Sequence, residues 1–133
     1  MSFGRYLDWF KEALDDLEVA QELFKLGKWS KVCFFSHQAC EKALKAFIIK
    51  KFGFYMRTHS VRELLLEIEK RISVPHELIE KCGKLDRYYV PTRYPNAWPA
   101  LAPHEHYDES EAEGALRSAE ELIDFVKKEI ENP

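Results

Sequence analysis

Between Leu85 and Pro95 the chain reads LDRYYVPTRYP, which places two arginines and three tyrosines within the eight residues from Arg87 to Tyr94. Guanidinium groups fork onto phosphate oxygens, and phenol rings offer stacking faces. Nucleobases and their phosphates need both functions together. The competing reading has these tyrosines closing a core while Arg87 and Arg93 pair with acids of a later helix. Upstream, Lys42 and Lys45 stand one helical turn apart and together suit a phosphate. Glu41 and Lys45 are also i and i+4 in the favourable order, an ion pair worth about 0.2–0.5 kcal/mol on an isolated helix. His59 follows a basic loop and precedes a helix start, where backbone N–H groups favour anions. Its alternative is an exposed loop histidine, or one bonded to a neighbouring carbonyl. His104 and His106, with Asp108, have the residue types of a metal site. A lone HxH in a loop, without cysteine or an HExxH helix, does not define one, and no metal is expected. No GxxxxGK[ST], GxGxxG or GxSxG motif occurs. Ser60 beside His59 is not thereby a nucleophile and its base, since adjacency in sequence does not supply that geometry.

Charge is distributed unevenly along the 133 residues, although the net value is only −3. From Lys25 to Arg62 there are nine basic side chains (Lys25, Lys28, Lys31, Lys42, Lys45, Lys50, Lys51, Arg57, Arg62) and a single acid, Glu41. The segments 1–24 and 105–133 are acidic. A local positive excess attracts phosphate even on an acidic molecule, and side-by-side packing of basic and acidic helices accounts for the same pattern. The length fits one domain over residues 1–133 that buries a core without disulfides. No apolar run approaches the roughly 18 residues of a membrane span. The opening MSFGRYLDWFKEALDD is too acidic for a signal peptide. Cys33, Cys40 and Cys82 read as small apolar residues in a reducing compartment, so a cytoplasmic location is expected.

These side chains must be positioned by helices. Tyr6, Phe10, Leu14, Leu17 and Phe24 predict a helix from about Phe3 to Leu26, closed by Gly27. A second spans about Trp29 to Phe52, closed by Gly53. Ser60 with Glu63 makes a capping box for a third, running through Leu64, Leu65, Ile68 and Ile72. Pro75 suits the first turn of a fourth, with Leu78, Ile79, Cys82 and Leu85 on one stripe. Asp108 with Glu111 opens the last, whose stripe runs from Ala112 to Ile130. No strand pattern competes. The fold class is therefore all-α, an up-and-down bundle of four to five helices with one long proline/aromatic loop before the last helix. That loop, RYPNAWPALAPHEHY, is long enough to expect a function for it. Pro91 and Pro95 would stiffen the Arg/Tyr cluster, and Trp98 and Leu101 would pack the middle of the loop over the bundle. The second helix is apolar on two sides, with Phe34 and Ile48 opposite the main stripe and beside Gln38, Glu41 and Lys45. Either the long loop or a second copy would cover that side, and a homodimer with this helix at or near the interface is expected.

In order, YLDWFKEALDDLEVAQELFKLGKWSKVCFFSHQACEKALKAFI, THSVRELL, LDRYYVPTRYPNA and the alanine-rich closing helix resemble the HEPN family, the higher eukaryote and prokaryote nucleotide-binding domain. The resemblance covers nearly the whole chain and rests most on Ala39 and Glu41 to Ala46, the Thr58-His59 pair, and the Tyr89-x-x-x-Arg93-Tyr94-Pro95 run. It implies a four- or five-helix bundle that often dimerises and that associates with nucleotides or RNA. Frequently the partner is a minimal nucleotidyltransferase, in a toxin–antitoxin-like pair. Glu41, Lys45, His59, Tyr89, Arg93 and Tyr94 are the site positions the resemblance carries over, with Lys42 and Arg87 in support. Arg93 and Lys45 would hold phosphate while Tyr89 or Tyr94 stacks on the base; no cofactor is implied. One departure matters. The family's ribonuclease branch has an arginine followed, after four to six residues, by a histidine near the start of the last helix. Here ten residues separate Arg93 from His104, and Arg71 and His76, at the right spacing, straddle Pro75. The expectation is a non-catalytic nucleotide-binding protein. Its alternatives are a metal-independent ribonuclease toxin using Arg93 with His104 or His106, and a pure protein-interaction module.

Overall fold

Gly27 and Gly53 both adopt left-handed backbone conformations, at φ 72° and 77°, and stop α1 (Tyr6–Lys25) and α2 (Trp29–Phe52) where a residue with a Cβ would be strained. In the computed structural model, which describes residues 3–131, these helices are followed by α3 (Val61–Glu69), α4 (His76–Gly83) and α5 (Glu109–Glu131). Short 3-10 turns occur at Phe3–Arg5, Lys84–Tyr88, Pro95–Ala97 and Pro103–His106. No strand is present among the described residues, and no helix there is long and apolar enough to cross a membrane.

The helix starts follow their predicted caps, with two adjustments. Ser60 Oγ accepts the Glu63 N–H at 3.0 Å, but the reciprocal half of the box runs through Thr58. The Ser60 N–H donates to Thr58 Oγ1 at 3.1 Å, and the Thr58 hydroxyl donates to the Glu63 carboxylate. Pro75 caps α4 from just outside it, its carbonyl accepting from the N–H groups of Leu78 and Ile79. Asp108 Oδ1 accepts the Glu111 N–H at 2.9 Å and opens α5. Helix α3 stops at Glu69, short of the predicted Ile72, because the N–H groups of Arg71 and Ile72 both fold back onto the Ile68 carbonyl.

Helix α2 is the centre of the bundle. It packs on α1, α5, α3 and the turns at Lys84–Tyr88 and Pro103–His106. Its two-sided apolar pattern follows from that position: Ile48 is buried within the chain, and Phe34 lies under Arg93 and beside Tyr89. The long connection, one of the two covers expected for that side, thus lies over Phe34 from within the chain. Over the front of α2 runs the long connection, residues 89–108. The Trp98 Nε1–H donates to the Pro91 carbonyl at 2.6 Å, and its ring stacks on His106 at 3.8 Å with 6° between planes. Tyr107 meets Trp98 edge-on, and Pro103 is buried. Leu101, expected to pack beside Trp98, instead stands 63% exposed in a left-handed conformation (φ 67°). At that φ a β-branch-free side chain is tolerated, but it is turned away from the core.

Candidate nucleotide-binding site

The site is built on one stripe of α2, where Phe34, Gln38, Glu41 and Lys45 follow one another at three- and four-residue intervals. Lys45 Nζ donates to Glu41 Oε2 at 3.0 Å, with side chains 3% and 5% exposed. The ammonium also reaches Tyr55 Oη at 3.4 Å and lies 5.5 Å and 5.2 Å from the rings of Trp9 and Tyr55. A buried ion pair is tolerable only when its remaining donors and lone pairs find partners, and here they do. On its other side Glu41 accepts from His59 Nδ1, at 3.2 Å and 3.3 Å to its two oxygens. The His59 side chain is 61% exposed, so its Nε2 edge is available to a ligand.

His59 is stacked on Tyr89, with centroids 4.5 Å apart and planes 18° off parallel. Arg93 closes the same wall. Its Nε and Nη2 both donate to the Tyr89 carbonyl, at 2.9 Å and 2.7 Å. Its guanidinium carbon lies 4.3 Å from the Phe34 ring centroid, 4.9 Å from that of Tyr89 and 5.0 Å from that of exposed Tyr94. A guanidinium so held is immobilised before a ligand arrives, and its remaining N–H groups are left for an anion.

Beneath the wall, fully buried His37 holds the loop. Its Nε2–H donates to the His59 carbonyl at 2.8 Å and to Asp86 Oδ1 at 3.2 Å, while Nδ1 accepts from the Gln38 amide at 3.1 Å. Asp86 in turn accepts from Ser60 Oγ (2.8 Å) and from the N–H groups of Val61 (2.6 Å) and Arg62 (3.2 Å), which caps α3. Burial works to raise the Asp86 pKa, but the hydrogen bonds from His37, Ser60, Val61 and Arg62 outweigh it and hold the carboxyl below its ordinary value. Asp86 and His37 therefore lock the position of His59 from below.

Six predicted positions come together: Glu41, Lys45, His59, Tyr89, Arg93 and, at the rim, Tyr94. Two do not. Lys42 reaches across to α1, where its Nζ donates to Asp16 Oδ2 at 2.6 Å. Burial raises the Asp16 pKa despite that contact. Arg87 faces α5, donating to Tyr88 Oη at 2.9 Å, and Tyr88 donates to Glu111 at 2.8 Å. Burial pushes the Tyr88 phenol up, and that of neighbouring Tyr107 to about 12. The HxH pair does not assemble a ligand set, because the His106 Nε2–H donates to the Ala100 carbonyl at 2.8 Å and its ring is stacked on Trp98. Among the described residues, the one group close enough to hold a metal is Glu12, Asp15 and Asp16 on α1, where Asp16 is already paired with Lys42. Sequence reasoning missed His37, Asp86, Trp9 and Tyr55. The i, i+4 spacing of His37 and Glu41 was a signal for the first, whereas nothing near Trp9 in sequence points to the site.

The model of the HEPN domain family matches residues 6–130. The chain belongs to the HEPN family. A protein of Methanocaldococcus jannaschii named "Putative toxin MJ1304" is 32% identical over 126 residues, covering 88% of this chain and 82% of its own. Among solved structures, TT1696 from Thermus thermophilus superposes with a TM-score of 0.89 at 38% identity, covering 94% of this chain and 98% of its own. ST0689, an archaeal HEPN homologue, gives 0.80 at 32% identity, with 96% and 98% covered. A HEPN domain protein of Thermotoga maritima gives 0.75 at 31%, with 95% and 99% covered. The expected helical HEPN fold is thus shown over nearly the whole chain, and the wall built on α2 lies within it.

Proposed function

We propose that this HEPN protein binds the phosphate and base of a nucleotide, or of an RNA strand, on the wall formed by Arg93, Tyr89 and His59. The observation that carries the reading is the His59–Tyr89 stack capped by a pre-positioned, exposed Arg93. Phosphate falls to the remaining N–H groups of Arg93, and the outer edge of His59 is left to accept from a ligand hydroxyl or amino group. Lys45, expected to share that task, is too deeply buried to do so and instead acts through Glu41, which orients the His59 ring. Tyr94, half-open to solvent beside Arg93, offers the face on which a base stacks. The protein would serve as the HEPN half of a toxin–antitoxin-like pair with a nucleotidyltransferase, a reading that the toxin name of its M. jannaschii relative supports. It would do so as a homodimer, and the exposed Leu7 and Leu14, seven residues apart on α1, supply an uncovered apolar stripe for that contact. Calorimetric titration with ATP tests the site: binding lost in Arg93→Ala and weakened in Tyr89→Ala supports it. Absence of heat up to about 1 mM ligand, equivalent to less than about 4 kcal/mol of affinity, sinks it. Sedimentation tests the dimer separately.

A second reading, RNA cleavage without metal, is favoured by one feature. Glu41 holds His59 Nδ1 and leaves Nε2 free, which is how a carboxylate orients a histidine general base, and Arg93 stands on the same wall to take phosphate charge. His106, committed to Trp98 and Ala100, is replaced by His59 in this scheme. RNA cleavage that is lost in His59→Ala and kept in His106→Ala would support it. The opposite pattern would dismiss it.

A further inference from the structure

Where α4 and the 3-10 turn at Lys84–Tyr88 meet α5, three cavities join into one trough. The middle one, about 270 Å³, lies among Lys81, Lys84, Leu85, Arg87, Gly114 and Ala115. It shares Lys81 with a cavity of about 280 Å³ that runs on to Pro75 and Phe125. It shares Arg87 and Tyr88 with one of about 250 Å³ that ends at Trp98. The middle stays open because nothing lies within 4 Å of where a Cβ of Gly114 would stand. One rim of it is basic, with Lys81, Lys84 and Arg87 at three-residue intervals. Lys81 and Arg87 make only exposed contacts, to Glu121 at 3.4 Å and Glu111 at 3.8 Å. Lys84 forms no ion pair or hydrogen bond through its side chain with any described residue. The remaining acids of the trough, Glu77 and Asp124, lie at its Phe125 end.

The outer face of α1 has the opposite character. Leu7 and Leu14 are exposed on one stripe. Asp15 and Glu18 flank Leu14, one and four residues on, and Glu12 stands one turn before Asp15. None of these three acids forms an ion pair or hydrogen bond with a described residue, and one basic side chain, Lys11, stands among them. Oxygens of Glu12, Asp15 and Asp16 lie within 4.8 Å of one another, and Lys42 neutralises only Asp16. Carboxylates crowded in this way repel one another, and an incoming cation relieves them.

We propose that the α4–α5 trough of one chain receives α1 of a second copy. The proposal rests on the homodimer reading above and names the two surfaces that meet. Leu7 and Leu14 cover the apolar floor at Leu85 and Ala115, while the free acids of α1 face Lys84 and the rest of the basic rim. The arrangement closes. Glu120 bonds Gln21 of α1 and Glu121 pairs with Lys81 of α4, so α5 lies between the two surfaces. A two-fold axis running along α5 therefore brings each α1 to the other chain's trough at once, and the contact is made twice per dimer.

Sedimentation velocity of the full chain, from about 1 to 100 μM, tests the docking through a charge swap. Lys84→Glu alone and Asp15→Lys alone each set like charges opposite one another at both contacts, and each should raise the dimer dissociation constant at least about tenfold. Mixed in equal amounts, the two variants should pair with each other at close to wild-type strength, because every trough then meets an α1 of opposite charge. Both positions are exposed, so the unfolding midpoint of the dilute chains should not move. Single variants that dimerise like the wild type would overturn the docking and leave the homodimer standing on another surface. Variants that dissociate singly and stay monomeric when mixed would overturn it as well. A wild type that is monomeric at 100 μM would remove the homodimer and this docking together, and leave the trough to an acidic segment of a different protein. Nucleotide binding on the Arg93 wall should be unchanged in every case, so its presence or absence is read independently.

Discussion

Glu41 and Lys45 hold the candidate site in place, and breaking the pair asymmetrically measures how. The charges stand 3.0 Å apart with almost no solvent contact. At an effective dielectric of about 20 their attraction is about 5.5 kcal/mol. Desolvation costs several kcal/mol for each ion, so the intact pair is close to neutral for stability. Removing one member is not neutral. Glu41→Ala leaves the Lys45 ammonium buried with Tyr55 Oη at 3.4 Å and two aromatic rings beyond 5 Å. Those rings offset about 1–2 kcal/mol of the cost. A broken buried pair costs about 3–5 kcal/mol, so the expected loss lies at the lower end, about 3 kcal/mol.

The opposite truncation should be milder. Lys45→Met leaves Glu41 with His59 Nδ1 at 3.2 Å and the Gln38 amide at 3.5 Å, for a cost of about 1–2 kcal/mol. Glu41→Leu/Lys45→Met, which removes both charges, should return to within about 1 kcal/mol of the wild type. Urea unfolding at constant slope reads these differences. With a slope of about 1.5 kcal/mol/M, Glu41→Ala moves the midpoint by about 2 M. A Glu41→Ala loss below about 1 kcal/mol, or a double variant no better than Glu41→Ala, would refute the assignment of Lys45 as a buried, partner-dependent charge.

Three further outcomes follow from the structure. Asp86 titrates below its ordinary value in the folded chain, so the stability it adds is present above the unfolded carboxylate pKa of about 3.9 and is lost as pH falls through the lower folded value. Asp86→Asn should therefore be less stable at neutral pH and show a shallower decline below about pH 4 in thermal melts; an acid limb as steep as the wild type's would count against this role. The three free cysteines are buried, with burial pushing the Cys33 thiol to about 12 and the Cys40 thiol well above its ordinary value. An aromatic disulfide reagent at about pH 8 should label none of them in the native protein and all three in denaturant, and rapid native labelling would contradict the packing. Gly114 lies inside α5 with nothing within 4 Å of where a Cβ would stand, so Gly114→Ala should stabilise by about 0.5–1 kcal/mol in urea unfolding. A destabilised variant would mean that another surface packs against that position.

What could be read from the residues alone was whatever a 3.6-residue period reports. The stripes of α1, α2 and α5, the two glycine stops and the Ser60 and Asp108 caps are local properties, and the helices formed where they stand. The same period placed Glu41 and Lys45 on one face with Phe34 and Gln38, so the floor of the wall was legible. Its partners from other elements were not. Trp9 and Tyr55 enclose Lys45 from α1 and from the loop after α2, and no sequence spacing links them to it. The two-sided character of α2 was visible, but its cause was not. An apolar second face is equally compatible with a partner chain and with a central position in the bundle, and only the packing of α3 and the long connection decides between them.

The LDRYY run shows why adjacency misled. At three residues per turn, a 3-10 turn sends neighbours about 120° apart, so the five residues divide between two sides of the molecule. Asp86 and Tyr89, three apart, fall on the α2–α3 side and meet His37 and His59. Arg87 and Tyr88 turn to α5 and meet Glu111. An Arg/Tyr cluster read as one recognition surface is therefore two structures back to back: one fastens the connection to α5, and the other holds Tyr89 beneath Arg93. The division also accounts for the stiffness of the wall. Tyr89 is flanked by residues anchored on opposite sides, Asp86 on the α3 cap and Tyr88 on α5, so its carbonyl is fixed before it accepts the two bonds of Arg93. The cluster yields a single guanidinium for a ligand because the rest of it is used to hold that one still.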